Sequence, residues 1–124
     1  MIGIDLIQIS RMQRLMEKFG QKALERFLSP PEIELALNYK TAAGFWAAKE
    51  ALSKALGVGI GKDCAFKDIT ISKTQKGAPK LELSQRLIDA FHITDTSLSI
   101  THDGDYAIAV VAIESASTHK IQKF

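Results

Sequence analysis

Thr41-Ala42-Ala43-Gly44-Phe45-Trp46-Ala47-Ala48-Lys49-Glu50-Ala51-Leu52-Ser53-Lys54-Ala55-Leu56 is the stretch from which the fold is read. It is rich in alanine, the strongest helix former. Phe45, Ala48, Leu52, Ala55 and Leu56 recur at spacings of three and four and make one apolar stripe. Trp46, Glu50, Ser53, Lys54 and Gly57 make a second stripe. The helix ends in Gly57-Val58-Gly59-Ile60-Gly61, whose glycines suit a C-cap and turn.

Toward the N-terminus, Ser29-Pro30-Pro31-Glu32 reads as a helix start, with a serine cap, proline at the first helical position and glutamate three residues after the cap. That helix is expected to run to about Tyr39. A short helix is expected over Gln21–Leu28. Ser10–Phe19 is another, with Met12, Leu15, Met16 and Phe19 at helical spacing and Gly20 as its cap. Met1–Leu6 alternates, placing Ile2, Ile4 and Leu6 on one face and Gly3 and Asp5 on the other, which predicts a strand.

Toward the C-terminus, Ile69 and Ile71 alternate with polar neighbours. Gln75–Pro79 then turns into a strand carrying Leu81 and Leu83. Ser84 caps a helix whose Leu87, Ile88 and Phe91 face inward. Leu98 and Ile100 belong to a strand ending at His102, and Asp103-Gly104 signals a hairpin. Tyr106–Ile113 is apolar on both faces, as expected of a central strand. This order predicts an α+β fold with helices packed on a mostly antiparallel sheet. It predicts a single domain over residues 1–114 and a polar tail over 115–124.

The 124 residues, 46% hydrophobic and 24% charged, suffice for one core without disulfides. Cys64 is the only cysteine, which excludes an internal disulfide and a cysteine metal cluster and suits a reducing cytoplasm. No signal peptide is expected, and no stretch approaches the roughly 18 apolar residues of a membrane span. A net charge of +2 gives no reason to expect nucleic acid as partner. Arg11, Arg14, Lys18, Lys22 and Arg26 nevertheless cluster against only Glu17 and Glu25. They form either a solvated helix face or a docking surface for an acidic macromolecule.

Few residues carry chemistry. Asp5 lies within a hydrophobic strand, so either its face of an edge strand is wet or the carboxylate has a partner or a metal. Glu50 and Lys54 share a helix face in the order that favours a surface ion pair. With Lys49 and Ser53, however, they stand in an otherwise apolar helix that ends in glycines. Carboxylates hold Mg²⁺ alongside substrate phosphates, and lysines contact phosphate. His102 sits at a strand end beside a turn, where it is either structural or a ligand contact. His92 and His119 read as surface positions, and Cys64 as a small packed residue.

Together these stretches match a family. Ile2-Gly3-Ile4-Asp5-Leu6 resembles the first motif of the bacterial holo-acyl-carrier-protein synthases, shortened at its start. Trp46–Gly57 resembles their central signature, F-x-x-K-E-A-x-x-K-A. Ser99-Ile100-Thr101-His102, with Asp103, Gly104, Tyr106 and Ala107, resembles their third stretch. The resemblance implies a Mg²⁺-dependent transfer of phosphopantetheine from coenzyme A to a serine of acyl carrier protein, in fatty acid biosynthesis. It implies that Asp5 and Glu50 are metal ligands and that Lys54 neutralises the leaving phosphate; the carrier serine also needs a base, for which Glu50, directly or through a metal-bound water, is the candidate. Lys49, Ser53, Gly59, Gly61 and His102 are implied at the coenzyme A site. Arg11, Arg14 and Arg26 are implied in docking the carrier, and a homotrimer with sites at subunit interfaces is implied as the assembly. Phe45 stands where an arginine is common, and Gly77-Ala78-Pro79 lacks the usual cation, so Lys76, Lys80 or Lys62 would serve the 3′-phosphate. The rival readings are a non-catalytic binding module on this fold, another Mg²⁺ phosphotransferase or nucleotide hydrolase, and a purely structural oligomer.

Overall fold

A computed structural model describes residues 1–116. Its centre is the long helix, here α4, over Tyr39–Ala55, buried on almost every side. Its alanines let neighbouring backbones come close, while Leu52, fully buried, contributes about 1.5–3 kcal/mol of hydrophobic stabilisation. Before it come β1 (Ile2–Gln8), α1 (Ile9–Phe19), α2 (Gln21–Glu25) and α3 (Pro30–Leu35). After it come a 3₁₀ turn at Phe66–Asp68, β2 (Ile69–Lys73), β3 (Pro79–Leu83), α5 (Gln85–Phe91), β4 (Ile93–Asp103) and β5 (Tyr106–Ser115).

The strands form two antiparallel sheets, where the sequence suggests one. β1, β5 and β4 make a three-stranded sheet with β5 central, and β2 and β3 make a separate hairpin. α4 lies across the inner face of the larger sheet, against Ala107, Ala109, Val111 and Ile113 of β5, all buried. The expected central strand is therefore present, though helices cover only one of its faces.

β1 inverts the usual sense of an alternating strand. Ile2, Ile4 and Leu6 point outward at 74%, 58% and 55% exposure, while Gly3, Asp5 and Ile7 face α4. Glycine is required there. A Cβ at residue 3 would stand 1.9 Å from the Ala51 carbonyl oxygen and 2.6 Å from the Ala55 nitrogen. β1 thus lies directly on the helix backbone, which sets how near Asp5 comes to the side chains of α4.

The helix ends differ from expectation in two places. α2 stops at Glu25, short of Leu28. α3 stops at Leu35, well before Tyr39, because Ala36 leaves helical geometry and Asn38 caps α4 by accepting from the Thr41 N–H at 2.8 Å. α1 is capped from outside its own segment: the Asp105 carboxylate accepts from the Ser10 N–H at 2.9 Å and the Ser10 hydroxyl at 2.5 Å. The hairpin turn therefore centres on Gly104-Asp105, one residue later than Asp103-Gly104. β5 extends to Ser115, past the expected domain end at 114. His119 and the rest of the expected tail, residues 117–124, lie outside the described residues.

The hairpin is fastened to α5 through Asp68. Its carboxylate accepts from Arg86 Nη2 at 2.6 Å and Nε at 3.0 Å, from the Ser84 hydroxyl at 2.7 Å and from the Ala65 N–H at 2.9 Å. The Arg86 guanidinium, helped by Ser84 and Ala65, pulls the Asp68 pKa down to about 2. A folded pKa below the unfolded value near 3.8 means stability that is complete above about pH 4 and lost as pH falls toward 2. Asp68→Asn should therefore be less stable than the parent in urea at pH 6. That difference should shrink steadily as pH falls from about 4 to about 2.

Candidate active site

β1 and α4 bring the expected residues into one place. Lys54 Nζ donates to Asp5 Oδ1 at 2.7 Å and to the Ile4 carbonyl at 3.3 Å. Asp5 is only 14% exposed and Lys54 53%, so the pair sits at the edge of the core with its ammonium facing water. The lysine expected to pair with Glu50 along the helix thus bonds across to the strand. Glu50, half-buried one turn before Lys54, has its pKa raised, first by burial and then by the negative charge of Asp5, with Lys54 opposing. Two carboxylates that repel each other at a partly buried edge favour a bound cation.

Among the described residues no three His, Cys, Asp or Glu side chains converge as a closed metal cage. Mg²⁺ does not need one. It typically takes one or two carboxylates and fills its shell with waters and substrate phosphates. Asp5 and Glu50, both oxygen donors, fit that requirement, and Lys54 adds a mobile positive charge beside them.

The loop after α4 begins where Leu56 ends the helix. Gly57 and Gly59 have φ of 78° and 68°, the left-handed region that favours glycine. The N–H groups of Val58 and Gly59 both donate to the Ser53 carbonyl at 3.2 Å. Gly59 is half-buried and Gly61 exposed, so this backbone is open to a ligand in the loop that follows the helix of Glu50.

Lys49 and Ser53, expected to contact the cofactor, face the core. Lys49 is 1% exposed and donates to the Glu32 carboxylate at 2.9 Å, the Phe27 carbonyl at 2.7 Å and the Phe66 carbonyl at 3.3 Å. Glu32 is equally buried and also accepts from the Ser29 and Ile71 N–H groups, at 2.8 and 2.9 Å. Burial pulls the Lys49 ammonium below its ordinary pKa against the opposing pull of Glu32. With every bond satisfied inside the fold, Lys49 holds α4, α3 and the hairpin together and has no reach to a phosphate. Ser53, fully buried, donates its hydroxyl to the Glu50 carbonyl at 2.7 Å.

His102 lies on the other flank of α4. Its Nε2 donates to the Lys40 carbonyl at 3.0 Å, and the ring lines a cleft of about 170 Å³ with Thr41, Gly44, Lys73 and Pro79. Lys73 is the lysine lining this cleft; Lys76, Lys80 and Lys62, the cations anticipated from the sequence, are not among its walls. Period-two alternation on β2 with an inward Ile69 and Ile71 also puts Lys73 on the side of the sheet that faces α4, a signal available in the sequence. His92 is exposed and ends α5 in the left-handed conformation.

Arg11, Arg14 and Arg26 are exposed on α1 and just after α2. Arg11 and Arg26 edge a cleft of about 250 Å³ whose walls include Leu15, Phe19, Trp46 and Phe66. Trp46 packs edge-on to Phe27 at 5.0 Å and tilted against Phe66 at 5.2 Å. Arg14 does not line this cleft.

Residues 1–111 match the family model of the 4′-phosphopantetheinyl transferase superfamily. The chain is 64% identical to a holo-[acyl-carrier-protein] synthase of Sulfurimonas denitrificans, over 98% of this chain and all of the relative. It is 60% identical to that of Wolinella succinogenes over 92% of this chain and 97% of the relative. Its fold superposes on the crystal structure of the Helicobacter pylori holo-[acyl-carrier-protein] synthase in complex with coenzyme A with a TM-score of 0.89. Identity there is 51%, covering 92% of this chain and 100% of that one.

Proposed function

The chain belongs to the 4′-phosphopantetheinyl transferase superfamily, and on that premise we propose the following reaction and site. The enzyme is a holo-[acyl-carrier-protein] synthase: it moves 4′-phosphopantetheine from coenzyme A to a serine of apo-acyl carrier protein and releases 3′,5′-adenosine diphosphate. The serine oxygen attacks the β-phosphorus, the bond from that phosphorus to the oxygen bridging the two phosphates breaks, and negative charge gathers on the departing 5′-phosphate of the adenosine. The observation that supports this site best is the Asp5–Lys54 contact at 2.7 Å beside a half-buried Glu50.

Asp5 and Glu50 would hold Mg²⁺, which supplies charge neutralisation at the pyrophosphate when bound. Lys54 swings its exposed ammonium from Asp5 to the leaving phosphate. Electrostatic stabilisation of this kind, aimed where charge develops, is worth several kcal/mol in a partly dry site. Glu50 takes the proton from the carrier serine, directly or through a water. Gly59, Gly61 and His102 border the coenzyme A, while Lys49 and Ser53 support the site from beneath. Lys54→Met should lower turnover roughly 10²–10³-fold with the fold intact, the usual effect of removing one such donor. Chelation should abolish transfer and Mg²⁺ should restore it; transfer persisting after chelation would remove the metal from this account.

The acidic carrier docks on Arg11, Arg14 and Arg26, with the apolar cleft beside Trp46 between two of them. The reaction belongs to fatty acid biosynthesis, and one buried cysteine suits the cytoplasm. No helix among the described residues is long and apolar enough to cross a membrane. Three copies assemble through the outer face of the large sheet. There Ile2, Ile4 and Leu6 pair in register with Ala112, Val110 and Ile108, and Ser97, Ser99 and Thr101 of β4 continue the surface. An exposed apolar patch of this kind is a standard mark of an interface. Sedimentation should give three times the chain mass, and Ile4→Asp should shift it toward one.

A further inference from the structure

Arg86 stands on the first turn of α5, away from the carboxylates, and neither the sequence motifs nor the reaction above uses it. Its guanidinium makes a three-way junction. Nη2 donates to the Lys62 carbonyl at 3.0 Å as well as to Asp68 Oδ2 at 2.6 Å, and Nε donates to Asp68 Oδ1 at 3.0 Å. Asp68 is 4% exposed and is itself held by Ser84 and Ala65. A further backbone bond, from the Ser84 N–H to the Asp68 carbonyl at 2.8 Å, fixes α5 to the base of the hairpin.

The segment Arg86 grips is the glycine-rich loop. Its near end is tied to the catalytic helix, through the Val58 and Gly59 bonds to the Ser53 carbonyl. Ser53 in turn bonds the carbonyl of Glu50. Its far end folds back through the Gly61 N–H donating to the Cys64 carbonyl at 2.9 Å, and is tied to the rest of the fold by Arg86 at Lys62. Cys64 lies fully buried next to the loop's end.

Three glycines in five residues make a chain with unusually high conformational entropy, and an unpinned loop of that kind must be ordered by its ligand at a cost in affinity. We propose that Arg86, oriented by Asp68, is a positioning residue that holds the glycine-rich loop in its coenzyme A-binding conformation before the substrate arrives. This rests on the assignment of that loop to coenzyme A. Arg86 touches neither substrate nor metal; it acts through the Lys62 carbonyl. A planar fork is needed because two carboxylate oxygens and a carbonyl must be met at once, which a lysine ammonium on a flexible stem does less well.

The test is steady-state transfer by the full chain with Mg²⁺, varying coenzyme A and carrier in turn, for the parent, Arg86→Gln and Arg86→Lys. Arg86→Gln should raise KM for coenzyme A about tenfold, as expected when binding must order the loop, with kcat and the carrier KM within about twofold. Arg86→Lys should fall between. Amide exchange over residues 57–64 should quicken in Arg86→Gln and return to the parental rate at saturating coenzyme A. An unchanged KM for coenzyme A alongside a lowered melting temperature would overturn the proposal and leave Arg86 purely structural. A fall in kcat at unchanged KM would also overturn it. If the parent itself transfers nothing, the reaction assigned above fails and this proposal with it. If the parent transfers and the variants match it, only this proposal fails.

Discussion

Gly3→Ala should cripple the protein although it adds only one methyl group. The new Cβ would sit 1.9 Å from the Ala51 carbonyl oxygen and within 3 Å of two further backbone atoms of α4. None of these can move without unwinding the helix, so β1 must lift. Overpacking of this kind costs about 1–3 kcal/mol and more where backbone blocks backbone. The functional cost is larger. Lifting β1 carries Asp5 away from Lys54 and Glu50, and a displacement of about 1 Å at a reacting site lowers turnover about 10²-fold. Urea unfolding and transfer kinetics on the same preparation should show both losses. An alanine variant with parental turnover would mean that the closeness of β1 to α4 is irrelevant to the site.

Lys49→Met should be the most destabilising substitution that leaves the surface untouched. Methionine matches the stem of lysine, so little volume is lost. The Glu32 carboxylate, however, remains 1% exposed with its cation gone. Breaking a buried pair from one side typically costs about 3–5 kcal/mol, because the abandoned charge has nowhere to go. The carbonyls of Phe27 and Phe66 lose their donor at the same time. Adding Glu32→Gln should recover part of the loss, since an amide carbonyl can still accept from Ser29 and no buried anion is left. Denaturation midpoints at one fixed protein concentration check this; a double variant no better than Lys49→Met would show that the ion pair is not the source of the cost. Loss of transfer in step with stability is expected, because the pair steers α4 and does not meet the substrate.

These two residues mark the boundary of what could be read before the structure. Helical spacing over Thr41–Leu56 located α4 to within two residues at its start and one at its end, since a long periodic segment outweighs local ambiguity. The convergence of Asp5, Glu50 and Lys54 was anticipated from the family motifs, and the fold does bring them together. The role of Lys49 was not legible. Its partner Glu32 lies 17 residues away and already has a local explanation as part of the Ser29 cap. The lysine's two carbonyl acceptors belong to a loop and a 3₁₀ turn that have no periodicity. The outward-facing isoleucines of β1 broke the ordinary rule for a different reason. Where β1 crosses Ala51 and Ala55, α4 leaves no room for a side chain, so Gly3 stands there and Ile2, Ile4 and Leu6 turn away toward a surface that a single chain leaves bare. The early end of α3 was lost because Asn38, a better cap than its neighbours, starts a new helix where the old pattern could have continued. Arg86 and Asp68 had no signal at all, being an ordinary helix arginine and a loop aspartate until the fold joined them.

The most direct test of the account is the intact mass of apo-acyl carrier protein after incubation with this protein, coenzyme A and Mg²⁺, run beside Glu50→Ala and a chelated sample. The account predicts one phosphopantetheine added to the carrier by the parent and none in either control. Full modification by Glu50→Ala would contradict it, removing Glu50 as base and as metal ligand together. Coenzyme A bound without any mass shift in the parent would instead leave a binding module on a transferase fold.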